Sequence, residues 1–193
     1  MKWQHAIKEY QLFLKIERGL SQNTIDSYSR DIHKLIHFLE GNEISISPLN
    51  IDLTVIQRFI YEIAKAVKPT TQSRIISGLR NFFDYLIFED YRSDNPTDLI
   101  ETPKTGRKLP DTLSENEIDD LISVIDLSHP QGERNRTIIE TIYSCGLRVS
   151  ELITLRLSDL FFTEGYIRVL GKGNKERYTP IHDSTQKYIN FYI

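Results

Sequence analysis

Ser144-Cys145-Gly146-Leu147-Arg148-Val149-Ser150-Glu151-Leu152 is the stretch around which the chain is organised. A helical apolar run, Ile138 to Tyr143, leads into it and ends at Cys145-Gly146. Glycine takes a left-handed conformation at little cost, which a helix C-cap often requires. The chain then restarts, with Arg148 in the join and Ser150 and Glu151 opening the next short helix. A guanidinium at such a break can be held by backbone on both sides and aimed outward, where its planar fork of donors suits a carboxylate or a phosphate. Residue type alone favours the plainer alternative, an ion pair with Glu151.

Downstream, Tyr166-Ile167-Arg168-Val169-Leu170 and Arg177-Tyr178-Thr179-Pro180-Ile181 read as two short strands. Between them lies Gly171-Lys172-Gly173-Asn174-Lys175-Glu176, in which Gly173-Asn174 is a two-residue hairpin signal. Lys172 and Lys175 then flank a tight turn. A charged, solvated hairpin tip is the common alternative.

Cys-Gly-Leu-Arg-Val-Ser-Glu-Leu, followed about twenty residues on by Gly-Lys-Gly-Asn-Lys-Glu-Arg, resembles the tyrosine recombinase (phage integrase) family, in particular its bacterial Xer branch. The similarity runs from the N-terminal helices to about Ile181. Both motifs in this order and spacing are specific; either alone is not.

With 193 residues there is room for two domains. An apolar fraction of 39% and a charged fraction of 26% fit a soluble globular chain. No run approaches a membrane span, and Met1 to His5 already reads as amphipathic helix rather than signal peptide. One cysteine excludes an internal disulfide and a cysteine zinc cluster, so the expected location is cytoplasmic. His33 and His37 are one turn apart but lack supporting acids, so no metal site is expected. The net charge of −3 argues against indiscriminate coating of nucleic acid. Residues 1–110 hold 15 Lys+Arg against 14 Asp+Glu, and residues 111–193 hold 9 against 13. Any DNA contact must therefore use local basic patches.

Four helices are expected in residues 1–95. Trp3, Ile7, Tyr10 and Leu14 line one face of the first. Gly19 ends it, and Ser21-Gln22-Asn23-Thr24 offers N-caps for the second. Ile25, Tyr28, Ile32, Leu35 and Leu39 form its core side, with Ser27, Arg30 and Lys34 opposite. The third runs from about Asp52 to Ala66, with Val55, Ile56, Phe59, Ile60 and Ile63 inward. The fourth spans Thr70 to about Phe88, with Ile75, Ile76, Leu79, Phe82, Phe83 and Leu86 inward and Gln72, Ser73, Arg74 and Arg80 on the other side. The aromatic stripe of Tyr10, Phe13, Tyr28, Phe38, Phe59, Phe82 and Phe83 reads as core. Lys68, Thr70, Thr71 and Arg74, at a helix start, suit phosphate capture, although most surface helices look similar.

Residues 96–110 read as a linker carrying Lys104, Arg107 and Lys108, either an ordinary solvated hinge or one that crosses DNA. The second domain, 111–193, opens with a Ser114…Glu117 capping box and a helix over 114–124. A buried helix over Glu133 to Cys145, short turns at Glu151–Leu155 and Ser158–Leu160, the hairpin and a final helix follow.

The resemblance implies a mainly α fold: an N-terminal SAM-like four-helix bundle, then the first part of an α+β catalytic domain with a small antiparallel sheet. It implies site-specific DNA recombination through a 3′-phosphotyrosine, with integration or chromosome dimer resolution as the outcome. No metal, ATP or other cofactor is needed, because the bond energy is kept. Arg148 matches the family's first catalytic arginine, and Lys172 matches the hairpin lysine that protonates the leaving 5′-oxygen. Glu151 matches a supporting acid, and Lys175 is the fallback for the lysine role or a backbone-phosphate contact. Thr24, Arg30, Lys34, Lys68, Thr71, Arg74, Arg80, Lys104, Arg107 and Lys108 become DNA-contact candidates. Implied partners are duplex DNA, a tetramer with itself or a paralogue, and a DNA translocase activator. The later histidine-x-x-arginine and tyrosine motif is not matched: Tyr188 and Tyr192 fall too early. The 193 residues are therefore expected to bind DNA without cleaving it and to expose apolar surface in the second domain. A non-catalytic DNA-binding regulator, a mobile-element integrase and a helical protein-interaction module are the alternatives.

Overall fold

The computed structural model describes all residues except Thr105, Arg107 and Lys108, so two DNA-contact candidates lie outside the described residues. The chain divides into two units, Met1–Lys108 and Leu109–Ile193.

In the first unit the apolar spacing produces four helices: α1 (Trp3–Ile16), α2 (Gln22–Gly41), α3 (Leu53–Ala64) and α4 (Pro69–Phe88). Each has a stripe at three- and four-residue steps that must leave water, and the four stripes meet in one core. Tyr10, Leu14, Ile32, Leu35, Ile56, Phe82 and Phe83 are among its buried members. Each large apolar side chain so buried contributes roughly 1.5–3 kcal/mol. The aromatic stripe is core in graded form. Tyr10, Phe59, Phe82 and Phe83 are buried, while Phe13, Tyr28 and Phe38 are only partly buried against them. Tyr10 meets Phe82 edge to face, and its hydroxyl donates to Asn81 Oδ1 at 2.6 Å, so the polar tip is satisfied. Asp52 caps α3 by accepting from the Val55 amide at 2.9 Å, and Pro69 starts α4, where its missing N–H costs nothing. Ser21 has the N-cap position of α2, but its hydroxyl pairs with that of Thr24 at 2.9 Å instead of capping.

The bundle continues past the expected linker start at Pro96. Asn95 Nδ2 donates to Asp84 Oδ1 at 2.7 Å, and its Oδ1 accepts from the Thr97 amide and hydroxyl. Ile100 joins the core. Extended chain in this stretch would have left those polar groups and that apolar side chain in water.

The second unit runs α5 (Glu115–Ser123), α6 (Gly132–Cys145), α7 (Val149–Ile153), a 3₁₀ turn (Leu157–Asp159), β1 (Leu160–Phe161), β2 (Tyr166–Leu170), β3 (Glu176–Pro180) and α8 (Asp183–Tyr192). The Ser114–Glu117 capping box forms as expected. The sheet is antiparallel, ordered β1-β2-β3, with Arg168 opposite Tyr178. Its core is small: Cys145, Leu147, Ile167, Val169, Ile181 and Ile189.

Three expectations need correcting. The helix ending at Cys145 is not buried along its apolar run: Ile138 and Tyr143 are exposed, and Thr137, Thr141 and Cys145 face inward. The reason is α8, which packs on the threonine side, where Thr137 Oγ1 donates to the Tyr188 carbonyl at 3.1 Å. Leu160, read as the end of a turn, begins a strand, because Asp159 just before it is held by Arg168 of β2 at 2.7 Å. The hairpin loop spans Gly171–Lys175 rather than two residues, since Leu170 pairs with Glu176 and the Gly171 amide donates to Lys175 O at 2.8 Å. Gly173 (φ 75°) and Asn174 (φ 60°) supply the left-handed residues inside this longer loop.

Candidate functional site

α6 ends where Gly146 turns left-handed, at φ 58° and ψ 41°. The amide of Leu147 reaches back to Ile142 O at 3.1 Å, and its side chain anchors in the core. This places Arg148 as the extended N-cap residue of α7, φ −76° and ψ 152°. Its backbone amide donates to Glu151 Oε2 at 2.8 Å, and its Nη1 donates to Oε1 at 2.8 Å. The expected ion pair is therefore present, and it does not conceal the guanidinium. The Arg148 side chain is 71% exposed, and its Nε and Nη2 make no hydrogen bond among the described residues.

Glu151 is the buried centre, with its side chain 3% exposed. Besides Arg148 it accepts from Arg177 of β3, through Nη1 to Oε1 at 2.7 Å and Nη2 to Oε2 at 2.8 Å. This fork-to-fork pair is the strong geometry for arginine and carboxylate. The Arg177 hydrogen bonds first, then the Arg148 amide, hold the Glu151 carboxyl well below the usual carboxylate range, so it remains an anion. Two guanidinium charges against one carboxylate leave the cluster net positive, with the excess on the exposed Arg148.

Arg177 also couples the hairpin to Arg148. Gly171, which begins the loop, lies so near that an added Cβ would stand 3.5 Å from Arg177 Nη1 and 3.6 Å from Glu151 Oε1. Lys172 follows it directly and is exposed, as is Lys175. Arg148, Glu151 and the Lys172 loop thus share one locality, although Lys172 follows Glu151 by 21 positions and Arg148 by 24. Arg177 was given no role by sequence reasoning. The usable signal was its place on the same side of β3 as Thr179, the half-buried side of an alternating strand.

In the first unit, Arg74 of α4 donates through Nη1 to Ser27 Oγ at 3.0 Å and to Asp31 Oδ2 at 2.7 Å, both on α2. Lys34 Nζ lies 3.7 Å from Asp31 Oδ1. Sequence reasoning passed over Asp31, which is wholly buried between these two cations. Arg30 is exposed, with Nε to Asp26 O at 3.3 Å. Lys68 is exposed at the start of α4, and Thr71 is half-buried in its first turn. Arg80 turns inward: its Nη2 donates to Ile100 O at 3.2 Å and lies 3.4 Å from Thr97 O, so this guanidinium ties down residues 97–100. Lys104 is exposed.

Comparison with known proteins follows this division. The model of the phage integrase N-terminal SAM-like domain matches residues 7–90, and that of the phage integrase family matches residues 111–193. Tyrosine recombinase XerD of Oceanobacillus iheyensis is 41% identical over 191 residues, covering 98% of this chain and 64% of the relative. Its Staphylococcus epidermidis (strain ATCC 35984 / DSM 28319 / BCRC 17069 / CCUG 31568 / BM 3577 / RP62A) counterpart is 42% identical over 188 residues, covering 97% and 63%. The chain therefore spans less than two thirds of these relatives. Among solved structures, a lambda integrase tetramer bound to a Holliday junction aligns with a TM-score of 0.75 at 20% identity, over 99% of this chain and 56% of that one. XerH recombinase bound to palindromic difH substrate aligns with a TM-score of 0.69 at 21% identity, over 91% and 53%. These structural likenesses concern the fold.

Proposed function

This chain belongs to the phage integrase family of tyrosine recombinases, and on that premise we propose that it is the DNA-gripping and partial catalytic portion of an Xer-like site-specific recombinase. The whole protein cuts and rejoins duplex DNA through a 3′-phosphotyrosine, as a cytoplasmic enzyme working as a tetramer at a recombination site in chromosome dimer resolution or integration. The observation that carries this reading is the shared carboxylate of Glu151, which joins Arg148 at a helix break to the base of the Lys172 loop through Arg177.

The roles follow from the chemistry. The free Nε and Nη2 of Arg148 bind non-bridging oxygens of the scissile phosphate and stabilise the charge that builds in the pentacoordinate transition state. Lys172 delivers a proton to the leaving 5′-oxygen as general acid. Lys175 contacts a backbone phosphate or stands in for Lys172. Glu151 keeps Arg148 oriented, and Arg177 braces the hairpin against the same anion. In the first unit Thr24, Arg30, Lys34, Lys68, Thr71, Arg74 and Lys104 meet the duplex, together with Arg107 and Lys108; Arg80 supports the fold. No metal or cofactor enters.

A gel shift with duplex DNA at rising salt tests the binding half. Affinity falls steeply with salt if phosphate contacts carry it; absence of any shift at low salt overturns it. A suicide substrate tests the chemistry: residues 1–193 are expected to form no covalent adduct, and an adduct would overturn that assignment.

A further inference from the structure

Asp31 has a wholly buried carboxylate at the junction of α2 and α4. Burying an ionised acid is costly, and a well-packed apolar residue is often no worse for stability. The junction is nevertheless shaped for it. Gly78 of α4 leaves the space, since an added Cβ there would stand 2.9 Å from Asp31 Oδ2 and 3.2 Å from Asp31 Cβ. Oδ2 accepts from Arg74 Nη1 at 2.7 Å, while Oδ1 is buried without a hydrogen-bond partner and has only Lys34 Nζ, 3.7 Å away.

The consequence lies in Arg74. Both hydrogens of its Nη1 are engaged, one by Asp31 and one by Ser27 Oγ at 3.0 Å. With two anchors on one nitrogen, the guanidinium plane is fixed. Its Nε and Nη2 make no hydrogen bond among the described residues, and the side chain is 46% exposed. Those two groups form the side edge of the fork, with parallel donors spaced for two oxygens of one phosphate. The Lys34 ammonium, on a side chain 40% exposed, stands on the other oxygen of the same acid.

We propose that Asp31 is a positioning residue, whose buried carboxylate presets the Nε–Nη2 edge of Arg74, beside Lys34, as a seat for one DNA backbone phosphate. This rests on the DNA-binding reading above and deepens it. Holding the fork before contact removes the ordering entropy that a free arginine loses on binding.

The test exploits a conflict of sign. Asp31→Asn deletes a negative charge from a cationic face, so long-range attraction alone makes the variant bind a short duplex more tightly. Positioning demands the reverse: about tenfold weaker binding and a salt dependence shallower by about one phosphate contact. Arg74→Ala should show the same loss, and the double variant should bind no worse than Arg74→Ala, because the two act as one unit. Ser27→Ala, which changes no charge, should weaken binding about twofold. Asp31→Asn that folds and binds as tightly as the parent or tighter overturns the proposal, as does a double variant whose losses add. If Asp31→Asn does not fold, Arg74→Lys decides: it keeps the charge without the fork, and parental affinity and salt slope in that variant overturn the proposal. A parent that shows no salt-dependent shift instead removes the DNA-binding reading and this seat with it, an outcome distinct from a parent that binds and an Asp31→Asn that binds equally well.

Discussion

Asp31 in the helical unit and Glu151 in the second unit are both buried acids held by arginine, yet their proton affinities move in opposite directions. Burial pushes the Asp31 carboxyl up, against the pull of Arg74 and Lys34. Glu151 accepts four hydrogen bonds, three of them from guanidinium groups, and these outweigh its burial. Asp31 accepts one and has a distant ammonium besides. The balance between burial and the donors that offset it decides which way a carboxylate inside a protein shifts. Glu151 is thereby an organiser of its unit, and Asp31 a strained support for the arginine above it.

Removing Glu151 should break that comparison hardest. Glu151→Ala leaves Arg148 and Arg177 facing each other without an anion and detaches the hairpin from α7. The melting temperature of the second unit is expected to fall by about 5 °C or more, with the Gly171–Lys175 loop becoming the first site of limited proteolysis.

The two glycines beside these acids should give the next effect. Gly78→Ala drives a Cβ to 2.9 Å from Asp31 Oδ2 in a packed helix junction and is expected to destabilise the first unit by about 1–3 kcal/mol in chemical denaturation. Gly171→Ala meets nothing nearer than 3.4 Å and should cost less than about 0.5 kcal/mol. Equal losses would mean that the acid beside Gly78 is as free to move as the one beside Gly171.

Acidity sharpens the comparison further. The Glu151 carboxyl is depressed in the folded state, so its contribution is full above the unfolded value of about 4.3 and is lost as pH falls through the lower folded value. Asp31 runs the other way. Its folded value is raised, so the ionised form costs stability above that value, and acidification toward about 3.9 relieves the cost. Denaturation across acid pH should therefore show the parent losing ground to Glu151→Gln as pH drops, and gaining ground on Asp31→Asn. Parallel trends for the two variants would contradict this account of the two acids.

Replacing Arg177 by Lys should give the smallest change. One point charge remains where a bidentate fork stood, so amide exchange in the Gly171–Lys175 loop is expected to quicken several-fold with the fold intact.

Much of this was legible in one dimension. The stripes of α1 to α4, the restart at Gly146 and the existence of a hairpin between two short strands depend on local period and turn chemistry, which sequence carries directly. The register does not, since a two-residue turn at Gly173-Asn174 would set Arg168 opposite Thr179, whereas the longer loop sets it opposite Tyr178. The plain alternative for Arg148, an ion pair with Glu151, was legible as well, because three residues on a helix start are always neighbours. The errors share one cause. Ile138 reads as core until α8 takes the threonine side of α6 instead. Arg80 reads as surface until the carbonyls of Thr97 and Ile100 arrive beneath it. Asp31 sits between Arg30 and Ile32 with nothing in the local pattern to mark it, since its burial depends on a glycine 47 positions away.

The order of residues by itself determined two units, a four-helix bundle with its inward faces, and an arginine placed at a helix break upstream of a lysine-bearing hairpin. Only the tertiary structure decided that Arg177 would share Glu151 with Arg148, and that Arg74 would meet a buried partner in Asp31. The physical reason is range. Helix period and turn conformation are properties of a few consecutive residues, whereas the energy of a charge depends on every dipole and ion that folding brings within a few ångströms of it.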